Sequence, residues 1–111
     1  MNIDAIIPKV LKWAKEKGIL EKSNPLKQIE KTREETEETR DALLLQKFAK
    51  TEDGFNLLQD KVKDGIGDQI VTLIILAELT GTDIEECLNL AWDEIKGRTG
   101  KMVDGIFVKD Q

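Results

Sequence analysis

Apolar residues recur every three or four positions at the start of the chain: Ile3, Ile6, Ile7, Val10, Leu11 and Ala14. That spacing lines one face of a helix over about Asp4 to Lys17, with Gly18 as its stop. Pro8 falls in the first turn or two, where a missing N–H costs least. Ser23-Asn24-Pro25 supplies a cap and a proline at the first helical position, opening a second helix from Pro25 to about Ala49. Its apolar contacts come from Leu26, Ile29, Leu43 and Leu44. Its middle departs from an aliphatic seam, because Thr32, Thr36 and Thr39 share a stripe with Ile29 and Leu43. Two readings of that stripe stand side by side: a semi-polar wall for a polar ligand, or threonines at a wet interface.

Thr51 to Gly54 breaks the pattern, and Thr51 or Asp53 is placed to cap a third helix, predicted over about Asn56 to Leu79. The first half of that helix is amphipathic, with Leu58, Val62, Ile66 and Ile70 in a row. From Ile70 to Ala77 it is apolar all round and needs partners on several sides. A chain of 111 residues hardly supplies them, so a homo-oligomer, dimer or tetramer, with a shared helical core is expected. Thr80-Gly81 ends this helix, and Thr82 with Glu85 reads as a capping box for a fourth helix bearing Ile84, Leu88, Ala91 and Ile95 and stopping near Gly97. Asp104-Gly105 is placed to turn a short hairpin in a tail that packs on a helical neighbour. The predicted fold is therefore all-α: an antiparallel helical bundle completed across a homo-oligomer interface, with a short extended C-terminal tail. One domain spans 1–111, divided into an N-terminal helix (1–22), core helices (25–97) and tail (98–111).

Composition removes several chemistries. Histidine is absent and Cys87 is the single cysteine, which excludes His-dependent triads, His-based zinc sites and an internal disulfide. Cys87, Trp13 and Trp92 read as packing residues. The net charge of −5, with basic residues scattered, argues against a nucleic acid polymer as partner. No apolar run is long enough to span a membrane and the N-terminus lacks the order of a signal peptide, so the expected location is cytoplasmic.

Carboxylates remain. Glu34-Glu35-Thr36-Glu37-Glu38 lies on the second helix and Asp64-Gly65-Ile66-Gly67-Asp68 on the third. Asp64, Asp68, Val71 and Ile75 share one helical stripe, which runs from acids into branched hydrocarbon and points to a packed interface. Acids at such a place need a cation. Two antiparallel helices bring Glu35 and Glu38 opposite Asp64 and Asp68, and carboxylates alone suit Mg²⁺ or Mn²⁺. Mg²⁺ in turn favours phosphate substrates.

These motifs resemble those of the MazG-like all-α nucleoside triphosphate pyrophosphohydrolases, the small single-domain type of phage and bacterial genomes. Glu34-Glu35-x-x-Glu38 matches the family's E-E-x-x-E. Ile66-Gly67-Asp68 matches the end of its E-x-x-D, and the run from Ile70 to Ala77 and the stretch from Glu94 to Lys109 are similar as well. The resemblance covers about Leu26 to Lys109. It implies a Mg²⁺-dependent enzyme that converts a nucleoside triphosphate to monophosphate and pyrophosphate. By position, Glu35, Glu38 and Asp68 would be metal ligands, Glu34 would support them or orient the attacking water, and Lys96 and Arg98 would hold phosphates. The role of Asp93, where the family often has Asn, stays open. The first acid of E-x-x-D falls on Gly65 here. Asp64 is adjacent but about 100° round the helix, and it shares a stripe with Asp68. The rival reading, from another class, is a non-catalytic helical module that kept the fold and lost the fourth ligand.

Overall fold

A computed structural model describes residues 2–111. Five helices and one hairpin succeed one another: α1 (Ile3–Glu16), α2 (Ile19–Lys22), α3 (Pro25–Lys47), α4 (Glu52–Leu79), α5 (Ile84–Ile95), β1 (Gly100–Val103) and β2 (Ile106–Lys109). The chain is mainly helical, as its periodicity predicts. Among the described residues no single helix is long and apolar enough to cross a membrane.

The caps sit close to where the sequence puts them. The Asn24 side chain accepts from the Lys27 N–H, with Pro25 opening α3. The Thr51 hydroxyl accepts from the Gly54 N–H at 3.0 Å, so α4 starts at Glu52, ahead of the expected Asn56. The capping box is displaced by one residue. Asp83, not Thr82, accepts from the Glu86 N–H at 2.8 Å, and the Thr82 hydroxyl donates to Glu86 Oε2 at 2.7 Å. An aspartate carboxylate is as good a cap as threonine, and Glu86, not Glu85, is the acid drawn back toward the cap, through Thr82. The N-terminal segment is two helices, not one: Gly18 adopts φ +78, which stops α1 and starts α2 in a new direction.

α3 and α4 form an antiparallel hairpin that is the body of the molecule, and α1 and α2 pack against α4. The seam of the hairpin is polar. Gln28, Glu35, Thr39 and Ala42 are the buried positions of α3, and with half-buried Thr32 and Gln46 they step along it by fours and threes, the spacing of a helix-pairing stripe. Opposite them stand Val62, Gly65, Gln69 and Thr72. Gln28 Nε2 donates to the Thr72 carbonyl (3.0 Å), the Thr32 hydroxyl to Thr72 Oγ1 (2.9 Å), the Thr36 hydroxyl to Gln69 Oε1 (2.8 Å), and Gln69 Nε2 to Thr39 Oγ1 (3.1 Å). Gln46 donates to Gln59 at 2.7 Å further along. The threonine stripe is thus spent on holding two helices together. The interface reading prevails for Thr32 and Thr36, while Thr39 also borders a cleft between the two helices.

The aliphatic residues expected to make this contact face outward. Leu26, Ile29, Leu43 and Leu44 of α3, and Ile66, Ile70 and Leu73 of α4, are exposed, as are Trp13 and Trp92. The buried apolar set is Ala14, Ala42, Val62, Ile74, Ile75 and Ala77. α5 leaves α4 at a bend of 102° and has no buried residue, so Cys87 is exposed too. Asp104 (φ 50) and Gly105 (φ 81) turn the hairpin, the positive pair that a two-residue turn of this hand requires. Val103 pairs with Ile106 and Gly100 with Lys109. The tail is therefore a formed hairpin, and within its own chain it packs on no helix.

Candidate metal and phosphate site

The antiparallel register of α3 and α4 sets both acidic motifs at one level. Glu35 and Glu38 are one turn apart on α3, and Asp64 and Asp68 one turn apart on α4. All four line a single cleft of about 320 Å³, with Thr39, Ala42, Lys61 and Gly65. The two acidic pairs thus border the same cleft, one from each helix. Their burial is uneven: Glu35 is 9% exposed, Asp68 is half-buried, and Glu38 and Asp64 are exposed. Along the predicted stripe, Asp64 is exposed, Asp68 and Val71 are half-buried, and Ile75 is covered.

Glu34 does not line the cleft. Lys31 bridges it at 3.4 Å and Glu35 at 3.3 Å, and these partners raise the Lys31 pKa, the Glu35 hydrogen bond most of all. Glu38 is held above the ordinary carboxylate range chiefly by the negative charge of Glu35. Asp68 is also pushed up, first by burial, then by the charges of Asp64 and Glu35. Lys31 opposes both shifts. The cleft therefore carries more negative charge than its own cations balance.

Position 65 has no room for a side chain. It is buried in the seam, and a Cβ there would overlap the Thr39 hydroxyl and press on Thr39 Cβ and Cγ2 at 3.1 and 3.3 Å. A carboxylate at 65 and a threonine at 39 are mutually exclusive at this helix separation. Asp64 has solvent room and reaches the cleft from the flank.

Lys96 and Arg98 do not line the cleft. Lys96, at the end of α5, pairs with Asp93 at 3.0 Å, and both cations lie on the segment that leaves the body. That also gives Asp93 a local partner. Lys61 does line the cleft, a position that no motif in the sequence marks. The signal that could have found it is its spacing, since Lys61, Gly65 and Asp68 fall at i, i+4 and i+7 of one helix. Among the described residues, no three carboxylates converge closely enough to hold a metal ion as the side chains stand. The donor set suits a hard divalent cation in its chemistry, and the exposed Glu38 and Asp64 would have to turn inward.

No protein-family model, curated protein or solved structure matches this chain.

Proposed function

We propose that this chain is a divalent-metal-dependent nucleoside triphosphate pyrophosphohydrolase that works as a homo-oligomer. The observation that carries the reading is the meeting of two acidic motifs across the α3–α4 seam, Glu35 and Glu38 facing Asp64 and Asp68. Four oxygen donors with unbalanced charge suit Mg²⁺ or Mn²⁺. When bound, such an ion neutralises triphosphate oxygens and polarises the phosphorus toward attack. Glu35, Glu38 and Asp68 would hold it, with Asp64 in the place that Gly65 cannot fill. Lys61 supplies a cation at the cleft wall for a phosphate oxygen. Glu34 lies outside the cleft, too far out to orient the attacking water, and acts on the ligand set only through Lys31, which it shares with Glu35. Water adds to a phosphorus of the triphosphate, the bridging P–O bond breaks, and monophosphate and pyrophosphate leave.

Gly65 packed on Thr39 favours a second reading, a helical module that kept the fold without the chemistry. Thermal melting with Mg²⁺ or Mn²⁺ separates the two. A ligand bound only by the native state at a hundred times its Kd adds about 2.7 kcal/mol. The hydrolase reading expects a metal-dependent rise in melting temperature in the wild type and none in Asp68→Asn. No rise in the wild type at millimolar metal supports the module.

A further inference from the structure

α5 and the hairpin have no core of their own. None of the residues of α5, β1 or β2 is buried. α5 has α4 as its one helical neighbour, and the hairpin strands meet only each other. A helix of this length and a lone two-stranded hairpin are each marginal in water, yet α5 carries an apolar face of Leu88, Trp92 and Ile95 that is exposed. The whole chain is correspondingly open. Its accessible surface is 8914 Å², against about 6,200 Å² for a compact monomer of this mass. Its radius of gyration is 16.9 Å, against about 13 Å.

We propose that α5 and the hairpin form an arm exchanged between two copies of this chain. The apolar face of α5 seats in the groove that α1 and α4 make from Lys9, Val10, Trp13 and Val71 of the second copy. Area favours a second copy over another partner. The excess of about 2,700 Å² per chain, doubled for a pair, reaches the scale of obligate homodimers and exceeds the roughly 1,600 Å² of a standard complex. Charge sets the direction. α5 opens with Glu85 and Glu86, and Lys96, Arg98 and Lys101 follow its end, with Asp93 and Glu94 just before them and Lys96 paired to Asp93. The receiving surface presents Lys9 at the groove and, further back along the same α4 stripe, Asp68 and Asp64. Antiparallel charges of this kind select one orientation. Exchange also carries Lys96 and Arg98 from a place remote from any acid cleft to the cleft of the other copy. The inference stands on the arm and the groove, and does not depend on the hydrolase reading.

The test uses the full chain with Lys9→Cys, so that the native Cys87 on α5 has one partner thiol. Chains labelled with ¹⁴N and ¹⁵N are mixed, unfolded, refolded together and oxidised mildly. The expected result is a peptide pair linking positions 9 and 87 from chains of opposite label, with the native mass of the unmodified protein an even multiple of 12.6 kDa. Native mass measured on Trp92→Glu is expected to fall to the single chain while circular dichroism stays helical. A same-chain 9–87 link, absence of any link, or a monomeric wild type at tens of micromolar overturns the proposal.

Discussion

Two glycines of α4 close together in sequence meet opposite surroundings. Gly65 abuts Thr39, whereas a Cβ at Gly67 would meet nothing within 4 Å. Gly67→Ala is therefore expected to stabilise the fold by about 1 kcal/mol through helix propensity alone. Gly65→Ala gains the same propensity but overpacks the seam, with an expected net loss of about 1 to 2 kcal/mol. Adding Thr39→Ala should recover most of it. Urea unfolding of the wild type beside these variants checks both signs. Asp68 gives a third residue-level prediction. Its folded pKa lies above its unfolded one, so the native state binds that proton more tightly. Stability is then gained as pH falls through the folded value and lost as pH rises through it. Asp68→Asn should raise the metal-free melting temperature at neutral pH. It should also shrink the gain that the wild type shows on acidification toward the ordinary carboxylate range. Melting curves across that range read this directly, and a variant less stable than wild type at neutral pH contradicts the account.

α3 shows what a sequence pattern conveys and where it misleads. Its existence, its Asn24-Pro25 start and the facing of Glu35 and Glu38 toward Asp64 and Asp68 were legible, because caps and acid spacing are local and the antiparallel register comes from a short connection. Its buried face was not legible. Hydrophobic periodicity assumes that apolar residues mark the packed side, and here Gln28, Thr32, Thr39 and Gln46 do so through hydrogen bonds while Leu43 and Leu44 face out. The four-three spacing of those polar residues was the available signal. Because Gln28 is 5% exposed and donates to the Thr72 carbonyl, Gln28→Ala removes a buried hydrogen bond across the seam. The expected cost is about 0.5 to 1.5 kcal/mol, seen as a lower urea midpoint. A change within a few tenths would mean that the seam does not hold the hairpin together.

At the scale of the molecule, far more large apolar side chains stand in water than the short buried set of Ala14, Ala42, Val62, Ile74, Ile75 and Ala77. Of the apolar run from Ile70 to Ala77, the chain itself buries Ile74, Ile75 and Ala77 and leaves Ile70 and Leu73 exposed. The positions of Lys96 and Arg98 were not legible, since residues distant along the chain and carried on a projecting arm leave no periodic trace of what they approach. Lys61 was marked only by its i, i+4 and i+7 spacing to Gly65 and Asp68, with no motif to single it out. The four carboxylates of the cleft, by contrast, all come from α3 and α4. The most direct measurement is pyrophosphate release from a panel of ribo- and deoxynucleoside triphosphates with Mg²⁺, wild type beside Asp68→Asn. The account predicts metal-dependent release by the wild type, with a preferred base or sugar, and loss of that release in the variant. Equal silence from both proteins, or equal release, would contradict it.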